Sequence, residues 1–216
     1  MTAERGMCAP ERMNMKVLLL NGSPHKDGNT AIALREMVKV FEAEGVEAEV
    51  IQVGSQAVRG CIGCGTCARM GKCVFDDVVN ETAAKMEDAD GLVIASPVYY
   101  GSANATLIAC LDRLFYSGQF DPRMKVGASV AVARRGGCSA TFDELNKYFL
   151  ISGMPVAASQ YWNSVHGREP GEAEQDLEGL QTMRTLANNM AAFLKATGGK
   201  PMPGCDEPRQ WMNFIR

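Results

Sequence analysis

An α/β domain built on a doubly wound parallel sheet is the fold class this sequence predicts. Three observations carry that reading. Short apolar runs alternate with amphipathic helical stretches almost without interruption from Met15 onward. Most of those runs are continuously apolar, as in strands buried on both faces of a sheet. A polar, Gly-bearing loop lies between the first run and the first helical stretch, where such sheets hold ligands at the carboxyl ends of their strands.

Each element has its own signal. MKVLLLNG (Met15–Gly22) is apolar up to a turn, and VEAEVIQV (Val46–Val53) alternates. Between them, Thr30–Glu44 carries Leu34, Met37, Val38 and Phe41 at helical spacing. The Gly- and Cys-rich stretch 54–75 has no period and reads as a loop. Asp76 or Asp77 caps a following helix bearing Val79, Ala83 and Met86. GLVIASPV (Gly91–Val98) is a third strand, and Leu107, Ile108, Leu111, Leu114 and Phe115 mark a helix. KVGASVAVAR (Lys125–Arg134) is a fourth strand, followed by a helix with Phe142, Leu145 and Phe149. PVAASQYWN (Pro155–Asn163) reads as the fifth strand and Glu172–Lys195 as the last helix. Residues 1–14 and 199–216 are tails, with Trp211 and Phe214 expected to pack on a neighbouring subunit.

The bulk properties narrow the function. A chain of 216 residues suits one sizeable core. Its net charge of −3 offers no attraction to nucleic acid or anionic membrane, and no apolar run approaches the roughly 20 residues of a membrane span. The first sixteen residues lack the apolar stretch of a secretory signal, which places the chain in the cytoplasm, where thiols stay reduced. Of the eight cysteines, Cys8, Cys110, Cys138 and Cys205 are scattered and read as small hydrophobes.

The loop NGSPHKDGNT (Asn21–Thr30) offers a helix N-terminus, hydroxyls and turn-forming glycines, a setting for a small monophosphate. Five residues separate Gly22 from Gly28 and Asn29 follows, so it is neither a Walker A loop nor G-x-G-x-x-G. A polar loop that merely caps the helix is the plainer alternative. The stretches after the third and fourth strands, SPVYYGSANA and ARRGGCSA, fall on the same sheet edge. There Tyr99 and Tyr100 either stack on a planar group or simply pack, and Arg134 or Arg135 either offsets negative charge or is solvated. Gly101, Gly136 and Gly137 admit close backbone approach, or only form turns.

Together NGSPHKDGNT, SPVYYGSANATLIACLDRLFY and ARRGG make the chain resemble the NAD(P)H-dependent FMN reductase group of flavodoxin-like proteins, over roughly residues 15–198. The resemblance implies a flavodoxin-like three-layer sandwich with a five-stranded parallel sheet in the order 2-1-3-4-5, and FMN as cofactor. It implies that Ser23, Pro24, His25, Gly28, Asn29 and Thr30 hold the phosphate. By the same resemblance Pro97, Val98, Tyr99, Tyr100 and Gly101 line the ribityl chain and ring, and Arg135, Gly136 and Gly137 border the isoalloxazine.

CIGCGTCARMGKC packs four thiols, Cys61, Cys64, Cys67 and Cys73, in C-x2-C-x2-C-x5-C spacing. Gly60, Gly63 and Gly65 would let the loop curl until the sulfurs converge. Ferredoxin-type runs that hold a [4Fe–4S] cluster begin with the same spacing. Zinc, which more often takes two separated knuckles, fits less well; a metal-free loop of packing or reactive thiols is the remaining choice. The motif also resembles that of the iron–sulfur flavoproteins, residue for residue at the four cysteines.

The expected function is therefore an FMN-dependent oxidoreductase of the iron–sulfur flavoprotein type, working between a ferredoxin-like one-electron carrier and an acceptor. The alternatives are an NAD(P)H-dependent FMN or quinone reductase without a working cluster and, from another class, a redox sensor. No acid or base residue is singled out. The resemblance implies a homodimer or homotetramer.

Overall fold

The computed structural model describes residues 15–198 and the single positions 208, 210, 212 and 215. Trp211, Phe214, Cys8 and Cys205 lie outside the described residues, and so do the expectations placed on them. Among the described residues there are six strands: β1 (Met15–Asn21), β2 (Val46–Gln52), β3 (Gly91–Tyr99), β4 (Ser102–Ala103), β5 (Val126–Ala133) and β6 (Ser164–His166). The helices are α1 (Asn29–Ala43), α2 (Cys67–Met70), α3 (Val78–Asp88), α4 (Ala105–Ser117), α5 (Cys138–Ile151) and α6 (Leu177–Thr197), with a 3-10 turn at Glu172–Gln175 before α6.

The main sheet runs β2-β1-β3-β5-β6 with every neighbour parallel. Counted as five principal strands, this is the expected order 2-1-3-4-5. Alternation along β1 shows how the sheet feeds two cores at once. Val17 and Leu19 join α1 and α6 on one face, while Leu18 and Leu20 join α3, α4 and α5 on the other. Cys110 is buried within the second core and Cys138 in a smaller cluster beside β5, as small hydrophobes are.

Besides the four-residue α2 inside the stretch read as a loop, two elements depart from the sequence reading. The expected strand Pro155–Asn163 is reduced to a single bridge, Val156 with Gly127, and the true edge strand is the shorter β6, paired with Ala131–Ala133. The cause is local. The Ser159 hydroxyl donates to the Tyr161 carbonyl at 2.7 Å and accepts from the Tyr161 amide, drawing 159–161 into a bend that interrupts the ladder. The second departure is β4, which folds back antiparallel on Val98 and Tyr99 through a two-residue turn. Tyr100 and Gly101 both take positive φ, 53° and 79°, the requirement of a tight hairpin turn. Glu144 of α5 fastens that hairpin by accepting from the Ser102 hydroxyl (2.7 Å) and the Ala103 amide (2.9 Å).

Close helix–sheet contact has its own requirement at Gly127, where a Cβ would lie 2.5 Å from the Phe149 ring. Gly127→Ala is expected to destabilise the fold by ~1–3 kcal/mol through overpacking. Gly60→Ala, whose Cβ would meet nothing within 4 Å, is expected to change stability by less than ~0.5 kcal/mol. Thermal unfolding of the two variants beside the parent checks both.

Candidate functional site

Carboxyl ends of β1, β3 and β5 open into one cleft of about 700 Å³, within the ordinary range for a cofactor pocket. One end is polar, walled by Ser23, His25, Lys26, Asn29 and Thr30, and the other is walled by Pro97, Val98, Tyr99 and Val132. The polar end exists because Gly28, at the N-cap of α1, supplies no side-chain cap. The first helical hydrogen bond runs from the Ile32 amide to the Gly28 carbonyl, so earlier amides have no partner within the helix. Those amides and the helix dipole make an anion seat.

That loop is held from below by residues the sequence reading did not single out. Buried Asn21 accepts from the Ser23 amide at 3.0 Å and donates to Gln52 at 2.9 Å, and Gln52 in turn donates to the Ser23 carbonyl. The Ser23 hydroxyl accepts from the His25 amide at 3.1 Å, which shapes the turn. Gly54, just past β2, donates to the Asn21 carbonyl and leaves no space for a side chain. Asn21 and Gln52 stand at strand ends, where a buried amide side chain is a signal for a loop anchor.

The predicted cofactor residues fall into two groups. Ser23, Pro24, His25, Gly28, Asn29, Thr30, Pro97, Val98 and Tyr99 all line the cleft. Asn29 also ties the facing wall, donating to the Glu169 carbonyl (3.0 Å) and accepting from the Ala173 amide (3.2 Å). Tyr100, Gly101, Arg135, Gly136 and Gly137 are not part of that wall, although a Cβ at Gly137 would lie 2.8 Å from Val98 and 3.0 Å from Gly101, so their loops touch. Arg134 lines the cleft where Arg135 does not, joined by Arg168 and Pro170 from the stretch after β6. Arg168 sat in no recognisable motif; only the fold brings it to the phosphate loop.

The second feature of this edge is the cysteine loop that leaves β2. Cys61, Cys64, Cys67 and Cys73 line one small cavity with Ile62, Val74, Phe75, Arg113 and Tyr116. Gly63, Gly65 and Gly71 take positive φ of 65–70°, which lets the chain reverse around the sulfurs; Gly60 does not. Asp77 is the cap of α3, accepting from the Val79 amide at 3.0 Å. Asn80 holds the main chain of Cys73 on both sides, accepting from its amide and donating to its carbonyl, each at 3.0 Å. Arg113 of α4, buried, donates Nε–H to the Cys73 sulfur at 3.2 Å and forms a two-pronged pair with Asp77 at 2.7 and 3.0 Å. Among the described residues no group of three or more His, Cys, Asp or Glu is arranged to hold a metal ion.

Thiol chemistry separates Cys64 from Cys110 and Cys138. The Thr66 side chain and backbone hold the Cys64 thiol below its ordinary pKa. Burial pushes the Cys110 thiol up to about 12 and the Cys138 thiol to about 11, leaving both as inert filling. For Arg113, burial opposes the charge, yet the Asp77 carboxylate and the Cys73 sulfur outweigh it and hold the guanidinium above its usual value.

A parallel sheet of this order, with an anion seat after its first strand and a cofactor-sized cleft across three strand ends, defines a flavodoxin-like protein. Solved structures agree on that fold: RosB with a bound 8-demethyl-8-formylriboflavin-5'-phosphate intermediate superposes with a TM-score of 0.69 at 17% identity, over 94% of this chain and 92% of that one. A WrbA-like flavodoxin of Agrobacterium tumefaciens gives 0.58 at 15% identity, over 85% and 98%. The model of the NADPH-dependent FMN reductase family matches residues 15–169, and the chain belongs to that family. Similar curated proteins are an iron-sulfur flavoprotein of Methanocaldococcus jannaschii, 37% identical over 84% of this chain and 98% of that protein, and one of Methanosarcina thermophila, 32% identical over 84% and 96%. The protein is a flavin-dependent oxidoreductase using FMN.

Gly54→Ala tests the phosphate seat. Its Cβ would fall 2.2 Å from the Gly22 carbonyl oxygen, so the loop must shift. FMN affinity is expected to drop roughly tenfold or more, equivalent to ~1.4 kcal/mol. Flavin-fluorescence titration of the FMN-free protein reads it; parent-like affinity would mean the phosphate sits elsewhere.

Proposed function

We propose that this oxidoreductase is an iron–sulfur flavoprotein in which Cys61, Cys64, Cys67 and Cys73 hold a [4Fe–4S] cluster, coupling a ferredoxin-like one-electron carrier to an acceptor through FMN. The observation that carries the proposal is one cavity walled by all four thiols, in the loop that leaves the carboxyl end of β2. The donor set fits: four sulfurs, apolar walls from Ile62 and Val74, and a buried cation beside Cys73. A lone tetrahedral ion would need its sulfurs within ~3.8 Å of one another, whereas a cubane spreads its ligands around a larger body.

Bound FMN supplies a centre that exchanges electrons singly or in pairs, and a cluster supplies one that passes them singly. The chain's part is placement. The amides at the start of α1, with Ser23 and Thr30, take the phosphate, while Pro97, Val98 and Tyr99 give the ring an apolar wall. Six residues separate Gly54, packed on the phosphate loop, from Cys61, a reach of at most ~25 Å within one chain.

Loop charge supports the choice of carrier. The stretch 54–75 contains Arg59, Arg69 and Lys72, all exposed, and no acidic residue, although the whole chain is negative. An acidic carrier would be steered to this face, and its reduction of the protein should slow as ionic strength rises. The protein acts in the cytoplasm as a homo-oligomer on this reading; among the described residues no helix is long and apolar enough to cross a membrane.

Iron, sulfide, zinc and flavin analysis of anaerobically purified protein is the direct test. The expected result is near one flavin and about four irons per chain. Cys64→Ser should abolish the iron and keep the FMN; loss of both together would mean the two sites are not separate. Flavin present without iron, and bleached quickly by NAD(P)H, would instead establish a reductase with no working cluster.

A further inference from the structure

α4 is an amphipathic helix whose inward stripe is Leu107, Cys110, Leu111 and Leu114, yet Arg113 beside it is 1% exposed. A guanidinium carries five N–H donors, and burial makes each one costly if unmet. All five are met here. Nε donates to the Cys73 sulfur (3.2 Å), one terminal nitrogen to the Arg59 carbonyl (3.3 Å) and Asp77 (2.7 Å), and the other to the Phe75 carbonyl (3.0 Å) and Asp77 (3.0 Å). Two of these would suffice for an ion pair that locks α3 to α4. The other three reach only the cysteine loop, at both its ends.

From this geometry we infer that Arg113 is a positioning residue for the sulfur site: its planar fork sets where the Cys73 sulfur stands and, through the N–H···S bond, raises the reduction potential of the group the four cysteines hold. The part about potential rests on the proposed cluster; the part about position does not. Hydrogen bonds to ligand sulfurs and nearby positive charge favour the more negative, reduced state of an iron–sulfur centre. Asp77 offsets the guanidinium charge at longer range, so the effect on Cys73 is short-ranged and comes from the Nε–H itself. Cys73 is thereby fixed twice, by Asn80 at its main chain and by Arg113 at its sulfur, whereas Cys61 and Cys64 are exposed. Lysine keeps the charge but lacks the fork and cannot make the five bonds together.

The test compares Arg113→Met, Arg113→Lys and Asp77→Asn in the full chain carrying FMN. In iron-free protein, amide hydrogen exchange over 59–77 in Arg113→Met should quicken by about tenfold or more while β1 and β3 keep parental protection. After anaerobic iron and sulfide loading, Arg113→Met should lose iron per flavin or show a midpoint potential shifted negative with an altered electron paramagnetic resonance signal. Arg113→Lys should restore iron but not the potential. Unchanged exchange in the loop, or equal loosening of loop and sheet, would overturn the positioning role. A parental potential in iron-loaded Arg113→Met, or a full shift in Asp77→Asn, would overturn the N–H···S assignment. Parent protein that takes up no iron would sink the cluster proposal alone, since the exchange comparison is made without metal.

Discussion

A buried guanidinium is the constraint on which the cysteine-bearing edge of this protein depends. Arg113 cannot be desolvated unless all five donors are met, and the partners that meet them come from three places: α3 through Asp77, the start of the cysteine loop through Arg59, and its end through Cys73 and Phe75. Removing one member of such a buried pair typically costs ~3–5 kcal/mol. The loop therefore has one favourable way to lie against α4. Phe75 adds to this, with the Arg59 and Arg113 guanidinium carbons 4.8 and 5.3 Å from its ring centre.

The loop after β1 is organised by neutral hydrogen bonds. Asn21 and Gln52, at the ends of adjacent parallel strands, join the phosphate loop to the start of the cysteine segment, and Gly54 packs directly on Gly22. One knot of backbone thus sets the origin of both loops. The polar loop after the first strand and the cysteine loop after the second start side by side for one topological reason: β1 and β2 are parallel neighbours, so their carboxyl ends share an edge. The loop around the thiols carries the exposed cations Arg59, Arg69 and Lys72.

Local chemistry explains which parts of this were readable in advance. β1, β3 and β5 are buried on both faces, so their apolar runs were unmistakable, and Gly28 with its neighbours announced a helix start built for an anion. The edge strand was misplaced because Pro155–Asn163 has strand-like composition while a side-chain hydrogen bond at Ser159 bends it; β6, three residues long, has too little sequence to show a period. The β3–β4 turn was hidden because Tyr100 takes positive φ where Asn or Gly is usual. Arg113 lies outside the apolar stripe that marks its helix, and nothing in its own segment says that a carboxylate 36 positions away will pair with it.

By itself the sequence determined the fold class and the grouping of four thiols in one loop, because both are written in local periodicity or spacing, while the strand order came through the family resemblance. Tertiary structure alone decided that Arg134 and Arg168 wall the cleft, that Asn29 ties the facing loop, and that Arg113 grips Cys73. Those outcomes join residues distant along the chain, and only the packing of helices on a closed sheet order brings their polar atoms within bonding distance.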